Sequence, residues 1–154
     1  MTRTQELWYS LLMQITPNQP PKMVVTPNPL PDYVAKVVLK VTGKTWEELG
    51  DNVVFTVGNT LHARCQVPDY LMVHERVHMK QQGDTPEVWW KNYLDPDFSY
   101  SQELEAYRAE YQFLKEKDRE SAIKAAHEFA KALGGEMYGG CVAGNKALLD
   151  IIRK

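Results

Sequence analysis

The stretch Asp69-Tyr70-Leu71-Met72-Val73-His74-Glu75-Arg76-Val77-His78-Met79-Lys80-Gln81-Gln82 decides how the chain is read, because it carries His-Glu-x-x-His at positions 74–78. As a helix, with about 100° and about 1.5 Å per residue, it sets His74 and His78 roughly 40° apart on one face and about 6 Å apart along the axis. One metal ion can then touch both rings. Glu75 stands about a quarter turn to the side, where it can hold a water on the metal without being a ligand. Asp69 after Pro68 predicts an N-cap, and Gly83 a left-handed residue closing the helix. Tyr70, Leu71, Val73 and Val77 are expected to supply its apolar contacts.

Immediately upstream, Asn52 to Val57 reads as a strand, Gly58-Asn59 as a two-residue turn, and Thr60 to Cys65 as the returning strand, so a hairpin leads into the helix. Before it, Val34, Val37, Val38 and Val41 recur at helical spacing from Asp32, with Gly43 to end the helix. Thr45-Trp46-Glu47-Glu48 has the form of a capping box over a single turn. Residues 1–31 form a proline-rich leader, with Pro17, Pro20, Pro21, Pro27, Pro29 and Pro31; it is expected to wrap the domain. Within it, residues 4–14 suggest a short helix and Met23 to Thr26 a brief strand.

Downstream, Thr85-Pro86 predicts an N-cap and first helical residue for a helix to Leu94, stopped by Pro96. Ser99 or Ser101 then caps a long helix through Glu103, Tyr107 and Tyr111 to Lys117. Further helices are expected over Arg119 to Leu133 and Asn145 to Ile152, separated by the Gly-rich stretch 134–144.

With 154 residues, 44% hydrophobic and 25% charged, residues 1–154 suffice for a single domain with a core that needs no disulfide staples. A formal net charge of −2, with basic residues spread among acidic ones, argues against nucleic acid as a partner. No run approaches the ~18 apolar residues of a membrane span, and the interrupted apolar patch Leu7 to Ile15 does not read as a signal peptide. Cys65 and Cys141 lack a nearby second cysteine, so buried thiols and a cytoplasmic setting are the expectation.

A catalytic zinc takes three protein ligands and keeps one position for water, so two histidines need a third partner. Gln102-Glu103-Leu104-Glu105-Ala106-Tyr107 offers it. His-Glu-x-x-His followed by a helix with Glu-x-Glu-Ala resembles the gluzincin branch of zinc metallopeptidases, and also small zincin-like proteins of phage and bacterial genomes. The resemblance covers about residues 53–115. It implies His74, His78 and Glu103 as zinc ligands, Glu75 as general base, and Ala106 as the small residue where two helices meet. Tyr107 departs from the family, which often has Asp there to support a ligand histidine; Arg76 departs too, where an uncharged residue is usual.

Other readings compete at single positions. A first-turn Glu is favoured by the helix dipole without any metal, and Glu105, about 200° around the helix from Glu103, is the other candidate ligand. His62 and His127 are expected to be structural or surface residues. Tyr93, Tyr100, Tyr107, Tyr111, Trp89 and Trp90 are expected mainly in the core, with one Tyr near the metal available to bond an oxyanion. The expectation is thus an α+β, minimal zincin-like domain: a small antiparallel sheet, the helix with His74 and His78, and a helical second half. The expected activity is hydrolysis of a peptide or protein substrate. The alternative is a non-catalytic binding or virion-type structural protein in which zinc ties helices together.

Overall fold

Valines at i, i+3 and i+4 build the first helix: Val34, Val37 and Val38 are buried, each worth about 1.5–3 kcal/mol of burial. This helix, α1 (Asp32–Thr42), ends at Gly43, whose φ of 72° and ψ of 10° are left-handed and whose N–H reaches Leu39 O at 2.8 Å. The structure, a computed structural model, describes residues 23–135 and 144–153. The helix expected near residues 4–14, Cys141 and most of the Gly-rich stretch lie outside the described residues.

The described chain runs β1 (Val24–Thr26), α1, β2 (Val54–Val57), β3 (Thr60–Ala63), α2 (Asp69–Gln82), α3 (Pro86–Asn92), α4 (Pro96–Lys117), α5 (Arg119–Leu133) and α6 (Gly144–Ile152). The architecture is α+β. β2 and β3 form the expected antiparallel hairpin around Gly58-Asn59, with Val57 opposite Thr60. The sheet is nevertheless mixed, because β1 pairs parallel with β3 in the order β1-β3-β2. The described end of the leader therefore adds a strand. The capping box forms as read: Glu48 Oε1 accepts from Thr45 N at 3.2 Å, and Thr45 Oγ1 from Glu48 N at 3.4 Å.

Several helix ends differ from expectation. Asp69 is the first residue of α2, not a side-chain cap, and Gly83 has φ 53° with ψ −131°, outside the left-handed helical region. Thr85 makes no side-chain cap bond, and α3 stops at Asn92. Pro96 opens α4 as its first residue, and the cap is Asp95, whose carboxylate accepts from Asp97 N at 2.9 Å. Ser99 and Ser101 lie inside α4 and donate to the carbonyls of Pro96 and Phe98.

Two apolar clusters flank α2. One gathers α1, Leu30, Trp46, Trp89 and Trp90; the other gathers Tyr100 and Tyr111 of α4 with the alanine face of α5 and Ala147 and Ile151 of α6. Ala122, Ala126 and Ala130 let α5 lie close, and Gly134 abuts Gly144, where an added Cβ would meet backbone at 3.2 Å. Against expectation, α2 does not bury its apolar residues. Tyr70 is exposed and Leu71, Val73 and Val77 are half-buried, while His74, Glu75, His78 and Gln82 are buried. No helix of the described residues is long and apolar enough to cross a membrane.

Candidate metal centre

A helix that buries four polar side chains must satisfy each of them, because an unpaired buried polar group costs about 1–3 kcal/mol. Their partners come from α4 on one side and the hairpin on the other. α4 packs against α2, and Ala106 of α4 is fully buried. There the Nε2 atoms of His74 and His78 lie 3.1 Å apart. Glu103 completes the group, with Oε2 at 3.1 Å from His74 Nε2 and Oε1 at 3.1 Å from His78 Nε2. All three residues are buried, and among the described residues they are the group of His, Cys, Asp or Glu that could hold a metal ion.

The outer ring nitrogens determine what the inner ones can do. Gln81 Nε2 faces two acceptors, Gln102 O at 2.9 Å and Glu105 Oε2 at 3.1 Å, so its amide oxygen must be the atom 2.8 Å from His78 Nδ1. An amide oxygen only accepts; Nδ1 of His78 therefore carries the proton and Nε2 is left with a lone pair. His74 Nδ1 lies 3.1 Å from Glu110 Oε1, which also favours a proton there. That contact is close but off the line of a straight hydrogen bond, since no acceptor is aligned with this nitrogen. Charge attraction is what holds it.

Two imidazole nitrogens and a carboxylate thus converge in a buried space, an arrangement that needs positive charge, supplied either by protons on the rings or by a metal ion. Metal bonds of about 2.0–2.1 Å at near-tetrahedral angles would space ligand atoms about 3.3 Å apart, close to the 3.1 Å found here. The same demand for positive charge appears in the proton equilibria of the metal-free site. Burial opposes protonation of His74, but its contacts with Glu103 and Glu110 and the charges of Glu103 and Glu75 outweigh this and raise its pKa to about 10. Burial likewise opposes protonation of His78, and Glu103 drives it upward. Glu103, despite burial, is held far below the usual carboxylate range by His78 and His74.

Glu75 stands outside this group. Its Oε2 accepts from the Thr56 hydroxyl at 2.7 Å, and burial pushes its pKa up, against the pull of His78, His74 and that hydroxyl. Glu105 is exposed and bonds Gln81, so of the two sequence candidates Glu103 is the one beside the histidines. Arg76 is exposed on the wet back of α2, which removes the cost of its charge. His127 is exposed, and His62 is buried with Nδ1 at 2.9 Å from Asn28 O, away from the site.

Aromatic rings close the surroundings. Tyr107 meets His74 edge-on at 4.6 Å, and Trp89 lies 5.3 Å from His78. Trp89, Trp90, Tyr100 and Tyr111 are buried as expected, whereas Tyr93 and Tyr107 are half-buried and line a cavity of about 320 Å³. His74, Glu75, His78 and Glu103 line the same cavity, opposite an apolar wall that includes Val37, Val38 and Val41 of α1. Tyr93 donates to Glu103 Oε1 at 2.9 Å, so its phenol supports the carboxylate.

Sequence reasoning missed Glu110, Gln81, Gln82 and Thr56. Glu110 carried a signal: it is seven residues beyond Glu103 and so on the same face of α4. Comparison of the chain with protein-family models, curated proteins and solved structures finds no match. What the site does must be argued from its own chemistry.

Proposed function

We propose that the chain is a zinc-dependent metallopeptidase, with His74, His78 and Glu103 as the zinc ligands and Glu75 as the general base. The observation that carries this reading is the convergence of two Nε2 atoms and a carboxylate, all within 4.8 Å of one another, with His78 Nδ1 bonded to the Gln81 amide oxygen and His74 Nδ1 3.1 Å from the Glu110 carboxylate. Nitrogen and carboxylate oxygen in that proportion suit zinc, which in such a site supplies a Lewis acid and lowers the pKa of water to about 7. Glu75, buried but not among the ligands, is set to take a proton from the attacking water and return it to the leaving nitrogen.

The cavity in front of these groups supports a catalytic over a purely structural centre, since a structural zinc is enclosed by four protein ligands. The test has two parts. Native mass spectrometry should find zinc, and replacing both His74 and His78 by Ala should remove it; full occupancy in that variant would sink the assignment. Glu75→Gln should keep zinc and thermal stability while hydrolysis of an unfolded protein such as casein falls at least ~100-fold. Unchanged hydrolysis, or loss of the metal, would refute the role of Glu75.

A further inference from the structure

In the segment Val53-Val54-Phe55-Thr56-Val57, Thr56 is the polar exception, and it is the most deeply buried residue of β2, 2% exposed. Valine would serve the strand equally well, and a buried hydroxyl costs free energy unless it is bonded. Here the hydroxyl reaches Glu75: Oγ1 lies 2.7 Å from Oε2 of the carboxyl group, against 3.5 Å from the Glu75 backbone oxygen.

The strand is held in that register from α2 itself. Val57 and Thr60 flank the two-residue turn as a hydrogen-bonded pair, so the backbone groups of Thr56 point away from β3. The Thr56 carbonyl accepts from Gln82 Nε2 at 2.7 Å and from Trp90 Nε1 at 3.2 Å. Gln82 Oε1 accepts in turn from Gly58 N at 2.7 Å. Gln82 lies two turns beyond Glu75 on the same face of α2, and is 1% exposed. Helix and strand are therefore pinned together next to the point where Thr56 meets Glu75.

We propose that Thr56 is a positioning residue for Glu75 in the hydrolysis argued above, on which this inference rests. Its hydroxyl engages Oε2, fixes the plane of the carboxylate, and leaves Oε1 as the oxygen that handles the proton. An O–H bond of the attacking water breaks as Oε1 gains the proton, and the water oxygen forms a bond to the carbonyl carbon, whose π pair moves onto the carbonyl oxygen. The same proton then passes to the leaving nitrogen as that pair re-forms the carbonyl and the C–N bond breaks, and Glu75 returns to its starting charge. Gln82 and Trp90 support this arrangement by holding the Thr56 backbone.

The experiment compares zinc-loaded wild type, Thr56→Val and Thr56→Ser on fluorescein-labelled casein, with zinc content measured for each. Thr56→Val should keep its zinc and a KM within about twofold of wild type while kcat falls about tenfold, and Thr56→Ser should recover kcat to within about threefold. A double-mutant cycle on the zinc-free protein gives a readout independent of activity. Thr56→Val should lower Tm when Glu75 is present and have little effect in the Glu75→Leu background. Unchanged kcat in Thr56→Val, a tenfold loss in Thr56→Ser, or additive Tm changes in the cycle would each overturn the role of Thr56 alone. Absence of zinc-dependent casein cleavage by the wild type would overturn the hydrolase reading and this inference with it.

Discussion

Glu110 offers the sharpest quantitative test of the proposed metal centre, because it lies outside the proposed ligand set and meets His74 on the side away from Glu103. Its Oε1 is 3.1 Å from His74 Nδ1, and its side chain is 3% exposed. At an effective dielectric of about 20, a full charge pair at that distance is worth about 5 kcal/mol, an upper bound for a ring that takes on only part of a bound ion's charge. If the ring carries about a third to a half of a unit, the carboxylate contributes roughly 2 kcal/mol to binding, or about 30-fold in affinity. That falls in the 10–100-fold range typical of partners to a metal-binding histidine. Glu110→Ala should therefore weaken zinc binding about 30-fold at pH 7, measured by competition with a chromophoric chelator. Glu110→Gln, which keeps the shape of the side chain but loses the charge, should cost a comparable factor, because the contact is held by charge and not by an aligned hydrogen bond. Unchanged affinity in Glu110→Ala would refute the argument that this carboxylate orients and charges His74.

Two other predictions follow from the same geometry. Glu103→Ala should abolish tight zinc binding, whereas Glu105→Ala, which removes only the outer partner of Gln81, should cost less than about tenfold by the same competition assay; the reverse order would move the ligand to Glu105. The zinc-free protein should lose stability as pH rises. The folded pKa of His74, about 10, lies above its ordinary 6.5, so the folded state binds the extra proton and the stabilisation is complete below about 6.5 and gone above about 10. Glu103, shifted the other way, adds stability above its ordinary 4.5 that is lost on acidification. Thermal melts of chelator-treated protein should give a Tm highest near pH 5–6 and falling toward pH 10, and a Tm rising through that interval would contradict it.

Local patterns made much of the fold legible. The valine spacing of α1, the Gly58-Asn59 turn, the capping box at Thr45 and the limits of α5 all depend on neighbours within a few residues. The cap of α4 was also legible, as Asp95 followed by Pro96, but Ser99 and Ser101 present the same chemistry further along the chain and compete for the assignment. The parallel pairing of Val24–Thr26 with Thr60–Ala63 was not legible, because it joins segments over thirty residues apart and leaves no local signature. The site divides the same way. His74, Glu75 and His78 announce themselves by spacing, and Glu103 was singled out through a resemblance. Gln81, Gln82 and Thr56 look like ordinary solvated or strand residues until the fold brings their partners to them.

The buried face of α2 explains why those supporting residues are needed. A helix between two apolar clusters would ordinarily turn Leu71, Val73 and Val77 inward, yet α2 turns in His74, Glu75, His78 and Gln82 and leaves its apolar side chains half-covered. Half-buried apolar side chains alone would fix the rotation of this helix only loosely, and directed bonds supply the rest. On the hairpin side these are the bonds of Gln82 to Thr56 and Gly58 and of Thr56 to Glu75; on the α4 side they are Gln81 to the Gln102 carbonyl and the contacts of both histidines with Glu103. Directed bonds fix rotation and register more narrowly than apolar contact does, which is what the proposed ligands and base would require. The apolar clusters meanwhile stabilise the elements on either side, α1 with α3 and α4 with α5 and α6. The polar helix is thus held between two self-supporting walls, and a change that weakens its bonds should disturb the site before it disturbs the fold.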